Sequence, residues 1–112
     1  MEEKNFNYDS FSDSLIISNK RENEKVKENF MFDDIIISLT GRGKIVGIEI
    51  LDVSSYLENL GFNKEILLNI KMAELEVIQR RESIIITFKL VSTINQQQIE
   101  QKIPIGMIPL IS

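Results

Sequence analysis

The chain has 112 residues, 43% of them hydrophobic and 27% charged, and a net charge of −4 at neutral pH. That length points to a single domain, 1–112, with enough buried surface for a modest core without covalent staples. It contains neither Cys nor His, which removes the groups needed for thiolate, zinc-thiolate, serine-triad and papain-like chemistry. The acidic balance disfavours nucleic acid, because phosphate-backbone affinity comes from Lys and Arg, and only Lys20-Arg21 and Arg80-Arg81 are adjacent basic pairs. The first residues, Met1 to Asn5, carry no basic region leading into an apolar one, and no apolar run approaches the ~20 residues of a membrane span. A cytoplasmic home without membrane contact is expected.

In chain order, Asn5 to Tyr8 reads as a short extended piece. Asp9 to Asp13 is a polar turn in which Asp and Ser side chains accept from nearby backbone amides. Ser14 to Ser18 is a strand. Asn19 to Asn29, dense in Lys, Glu and Asn, reads as mostly loop, with an exposed edge strand as the alternative. Phe30 to Leu39 reads as one strand; Ile35-Ile36-Ile37 is β-branched on both faces, so it is expected inside a sheet rather than at its edge. Thr40-Gly41-Arg42-Gly43 is a tight turn leading into a return strand, Lys44 to Leu51. Val46, Ile48 and Ile50 lie on one face of that strand and Ile45, Gly47, Glu49 and Leu51 on the other.

Asp52 is placed to cap a helix over Val53 to Leu60 with its carboxylate. Val53, Tyr56, Leu57 and Leu60 sit at helical spacing, and Gly61 fits the left-handed residue that ends such a helix. Asn63 is a second cap before Lys64 to Asn69, with Ile66, Leu67 and Ile70 facing inward. Period two then returns: Ala73, Leu75 and Val77 alternate with Glu74, Glu76 and Ile78, and Ile84, Ile86, Phe88 and Leu90 with Ile85, Thr87, Lys89 and Val91. After a connection over Ser92 to Gln97, Ile99, Ile103 and Ile105 mark a last strand. The expected class is α+β, an antiparallel sheet-dominated domain with a short helical segment near residues 53–69 and a C-terminal β-meander. The apolar end of the chain, including Ile105, Met107, Ile108, Leu110 and Ile111, is expected either on its own core or in an interface. Pro104 and Pro109 favour an edge position there.

These residues resemble a small prokaryotic family catalogued as domain of unknown function 2283. The resemblance rests on Tyr8-Asp9, on Asp13-Ser14-Leu15-Ile16-Ile17, and above all on Gly43 to Ser54, which follows the family's Gly-x-x-x-Gly-Ile-Glu-Ile-Leu-Asp-x-Ser pattern. The motif region spans about residues 6–60, and the β-rich segment 70–112 is similar to the extension of archaeal-type members. Membership implies a fold and no mechanism. Some relatives sit beside toxin-like genes, which implies a partner-binding role.

Candidate chemistry is sparse. Gly41-x-Gly43-x-x-x-Gly47 leads into a strand rather than a helix N-terminus, so it is a turn and not a phosphate loop. Asp9 and Asp13 are candidate ligands for a hard cation, although turn and cap roles account for them. Asp33-Asp34 and Glu49 are candidates for a carboxylate pair across the hairpin, but adjacent strand residues face opposite ways and only one of the two aspartates can join Glu49. Glu49 stands between two isoleucines on a half-buried face and is expected to pair with Lys44, Lys89 or an arginine. The functional carboxylates are thus Asp9, Asp13, Asp33 and Glu49, with no catalytic residue, resident metal or cofactor assigned. The expected role is a non-enzymatic interaction module that self-associates, with a dimer favoured. The alternatives are a divalent-metal-dependent hydrolase or ligand-binding protein using those carboxylates, and an antitoxin-like regulatory partner of another protein.

Overall fold

The computed structural model describes residues 4–109, with side chains through residue 106. Five strands form the first sheet: β1 (Phe6–Asp9), β2 (Ser14–Ser18), β3 (Val26–Phe32), β4 (Ile35–Thr40) and β5 (Ile45–Ile50). A helix, α1 (Val53–Asn59), and a 3₁₀ turn at Lys64–Leu67 connect to β6 (Ile70–Gln79), β7 (Ser83–Ile94) and β8 (Gln97–Pro109), which form the second. The spatial orders are β1-β2-β5-β4-β3 and β6-β7-β8, and every pairing is antiparallel. The protein is sheet-dominated; the helical share of the expected α+β class is one seven-residue helix and the 3₁₀ turn.

One core joins both sheets. Leu15, Ile17, Ile35, Ile37, Ile48 and Ile50 line the inner face of the first sheet. Ala73, Leu75, Ile86, Phe88, Leu90 and Ile103 do so on the second. The period-two pattern is the cause, since alternate side chains leave a strand on one face. Each fully buried Ile, Leu or Phe contributes about 1.5–3 kcal/mol of transfer free energy. Val53 and Leu57 of α1 and Ile66 and Leu67 of the 3₁₀ turn close one side of this core. Ser92 is fully buried beside it, and its Oγ donates to the Ile66 carbonyl at 2.5 Å. Asn5 Nδ2 donates to the Ala73 carbonyl at 2.8 Å and ties the start of the first sheet to the second.

Several elements differ from the sequence expectation. Asn19 to Asn29 is mostly loop, as expected, but its last four residues open a strand: β3 starts at Val26 and pairs with β4 through to Phe32↔Ile35. The reading of Phe30 to Leu39 as one strand fails at Asp33-Asp34, a two-residue turn in which Asp33 takes φ 57. Aspartate enters this left-handed region more readily than most residues, because its short carboxylate bonds to local amides. All seven residues of β3 are exposed, which explains why its Lys and Glu content reads like a loop. The connection at Ser92 to Gln97 shrinks in the same way to Asn95-Gln96, both at positive φ, and β7 runs on to Ile94.

In β5 a bulge opposite Ser38 and Leu39 shifts the phase, so Ile45 joins Ile48 and Ile50 in the core instead of facing away from them. Lys64 to Asn69 forms a 3₁₀ turn over Lys64–Leu67, with Asn63 Oδ1 accepting from Glu65 N at 2.9 Å. Gly61, at φ 86, ends α1 as expected. The amides of Gly61 and Phe62 donate to Glu58 and Leu57, and the chain bends so that Phe62 packs on the core while Leu60 lies exposed. Leu60 is therefore not part of the buried stripe. Ile105 is buried in the core, brought there by a bulge that sets Ile86 against Gly106 and Thr87 against Pro104. It therefore does not serve as a free interface residue. The side chains of Met107 and Ile108, and all of Leu110 and Ile111, lie outside the described residues.

Candidate functional site

Asp52 does not cap α1 with its side chain. It adopts φ 50 and ψ 47, and its carboxylate makes no capping bond. The capping group arrives from the β1–β2 turn. Asp13 Oδ2 accepts from Ser54 Oγ at 2.6 Å, both carboxylate oxygens lie 3.3 Å from Ser54 N, and the Asp13 carbonyl accepts from Val53 N at 3.0 Å. Tyr8 Oη donates to Asp13 Oδ1 at 2.9 Å. A carboxylate beside exposed helical amides satisfies donors that have no partner within the helix. Burial, followed by the bond to Asp13 and its charge, holds the Tyr8 hydroxyl above its ordinary pKa. Asp9 accepts from Phe11 N at 2.9 Å and shapes the same turn. The two residues that the sequence marks as candidate cation ligands are thus occupied in building a joint.

The four candidate carboxylates do not converge. Asp9 and Asp13 sit in the β1–β2 turn, Asp33 in the β3–β4 turn, and Glu49 in the middle of β5. Among the described residues no group of three or more acidic side chains is arranged to hold a metal ion. The expected ion pair of Glu49 is not formed either. Lys44 Nζ lies 2.8 Å from Glu24 Oε2, and Lys89 lies 3.4 Å from Glu74 and 3.3 Å from Glu100. Lys44 holds the Glu24 carboxyl below its ordinary range through that bond. The Lys89 ammonium is held above its own by Glu100 and then Glu74.

The outward faces of the two sheets differ in kind. On the second sheet, Glu74, Lys89 and Lys102 lie in register across the three strands, and Lys102 approaches Glu76 at 3.9 Å. Such a ladder is a solvated face. On the first sheet the corresponding row is Asn7, Ile16, Glu49, Ile36 and Met31. Ile16 is 42% exposed and Met31 60% exposed, while Ile36 and Glu49 are half-buried. The next row is polar, Ser18, Gly47, Ser38 and Asn29, with Ser38 Oγ donating to Asn29 Oδ1 at 2.6 Å. Because Gly47 has no side chain, the surface dips into a shallow depression of about 440 Å³ bordered by Ile16, Lys20, Val26, Ile36, Val46 and Glu49. Glu49 is the acidic residue of that depression and has no ion-pair partner among the described residues.

The sequence reading isolated Glu49 but missed this face. Apolar residues on both faces of β4 place that strand inside the sheet, as it is, but do not say whether both faces of the sheet are covered. One side is covered by the second sheet. The other is open.

Fold and surface together define a two-sheet antiparallel β protein, its first sheet joined to α1 by the Tyr8–Asp13–Ser54 contacts, with a charged ladder on one outward face and a strip of Ile16, Ile36 and Met31 around Glu49 on the other. Residues 5–54 match the model of a family described as protein of unknown function (DUF2283). The matched segment comprises the five-stranded sheet and ends at Ser54, the residue that Asp13 holds; the second sheet lies beyond it. No curated protein and no solved structure matches the chain.

Proposed function

We propose that the protein is a non-enzymatic interaction module that self-associates, with β3 of one copy pairing antiparallel to β3 of a second. The observation that carries this reading is the edge itself. β3 is seven residues long, exposed throughout, free of proline, and ends in Phe30-Met31-Phe32. Lys27, Glu28 and the bulge between Val26 and Glu28 blunt the first half of this edge, and the uncovered apolar half, Phe30 to Phe32, is the template for pairing. The opposite choice is made at β8, where Pro104, Pro109 and the Gly106 bulge guard the edge. Ile105 is committed to the core, so we assign the dimer contact to β3 rather than to the C-terminal tail.

In a two-residue hairpin the flanking pair, here Phe32 and Ile35, exchanges both backbone bonds. Phe30 then bonds to Ile37, while Met31 and Asn29 direct their amides outward. A two-fold axis at Asn29 sets Met31 of each copy opposite Lys27 of the other and avoids like-charge contact. The dimer continues one sheet across both copies and leaves both outer faces open. The second sheet is read as the extension of an archaeal-type member, and a cytoplasmic home fits this role.

Light scattering coupled to size exclusion tests the reading. The wild-type chain is expected at twice its 12.9 kDa mass, and Met31→Pro, which removes an outward amide only, as a folded monomer by circular dichroism. Met31→Lys serves the same purpose if the proline variant does not fold. A wild-type chain that stays monomeric at millimolar concentration overturns the proposal.

A further inference from the structure

The outer face of the five-stranded sheet carries an apolar strip, Ile16, Ile36 and Met31, around a carboxylate that has no ion-pair partner among the described residues. We infer that this face docks an amphipathic helix of another protein, and that a single Lys or Arg set among the helix's apolar side chains pairs with Glu49. Four observations select that occupant. First, Glu49 lies in register between Ile16 and Ile36, so anything that covers the isoleucines also covers the carboxylate. A covered, unpaired carboxylate is costly, and a cation brought by the partner removes the cost.

Second, a further copy of this chain is a poor occupant. Face-to-face packing about a two-fold axis through this row brings one Glu49 against the other, and like charges in a water-poor contact repel. Third, the interior of the face offers side chains only. The backbone groups of β2, β5 and β4 are used within the sheet, so the partner segment must satisfy its own, as a helix does. Fourth, the depression is too shallow and open to enclose a small molecule, which a dedicated pocket buries by about 70–90%. Gly47 and Val46 line it next to Glu49. Lys20 sits at the rim with its Nζ turned to the carbonyls of Glu24, at 3.2 Å, and Arg21, at 3.5 Å. It is held by its own loop and leaves Glu49 to the partner.

The contact does not depend on dimer formation through β3, and the two are tested separately. The probes are two synthetic helical peptides with the same leucine stripe, one carrying a central arginine and the other citrulline, titrated by fluorescence anisotropy against the full chain. The arginine peptide is expected to bind about tenfold or more tightly than the citrulline peptide, as close charge pairs at interfaces do. In Glu49→Gln the difference should collapse, with thermal unfolding and dimer mass unchanged. Ile16→Lys, which sets a cation beside Glu49, should abolish binding of both peptides. Equal binding of the two peptides, a preference that survives Glu49→Gln, or no binding of either overturns the inference. Binding to anionic lipid vesicles that Glu49→Gln strengthens also overturns it, since the face then serves a membrane and Glu49 opposes the contact.

Discussion

Asp13 gives the sharpest test of how this fold is held, because one residue does two separable jobs. Its carboxylate caps α1 through Ser54, and its backbone sits at φ 55. Removing a side-chain cap costs about 1 kcal/mol. Placing a residue with a Cβ and no local hydrogen bond in the left-handed region costs about 1–2 kcal/mol more. Asp13→Ala incurs both costs, so a loss of about 2–3 kcal/mol is expected. Asp13→Gly loses the cap but relaxes the backbone, and should cost about 1–1.5 kcal/mol, part of it from the freer unfolded chain. Asp13→Asn tolerates the backbone and keeps one acceptor, and should cost less than about 1 kcal/mol. Urea unfolding measures the series, with midpoints shifting at constant slope. In thermal scans each kcal/mol corresponds to roughly 4 °C for a chain of this size. An alanine variant no weaker than the glycine variant would refute the backbone part. Three variants indistinguishable from wild type would refute the cap.

Other expectations follow from the core and its polar members. Phe88→Ala opens a cavity at a fully buried site between β6 and β8, and a loss of about 3–5 kcal/mol in urea unfolding is expected. Ser92→Ala leaves the Ile66 carbonyl without its buried donor and should cost about 1–3 kcal/mol, with faster amide exchange around the 3₁₀ turn. Tyr56 Oη donates to the Pro104 carbonyl at 2.7 Å, and burial, followed by the charge of Asp33, raises its pKa above the ordinary 10.0. A raised tyrosine pKa means that the unfolded chain ionises first. Its contribution is therefore complete below pH 10.0 and lost as pH rises through the folded value. Tyr56→Phe should flatten that alkaline loss, with a cost of about 1 kcal/mol at neutral pH from the missing bond; an unchanged alkaline slope would assign the loss elsewhere.

Much of the fold is legible in the chain because local rules act locally. Gly43 turns the β4–β5 hairpin at φ 83 and Gly61 ends α1, as residues without a Cβ are suited to do. The alternation of Ile84, Ile86, Phe88 and Leu90 identifies the inner face of β7, because side chains on a strand must alternate. The absence of His and Cys removes whole classes of chemistry whatever the fold. Hairpin turns without glycine are harder to read. Asp33, Asn95 and Gln96 reach positive φ with side chains that elsewhere signal a loop.

What the tertiary structure alone decides is who meets whom across the chain. Asp52 has the right position for a cap, yet Asp13, distant in sequence, holds the helix, because the β1–β2 turn brings its carboxylate to Ser54. The sequence offers Lys44 and Lys89 as partners for Glu49, yet each pairs with another glutamate once the register is set. A bulge in β5 moves Ile45 to the core, and a hairpin exposes β3 as an edge. The physical reason is common to all of these. Periodicity and turn preference are properties of a few consecutive residues, whereas ion pairs, distant caps and uncovered faces depend on strand register, which the packing of the whole core selects.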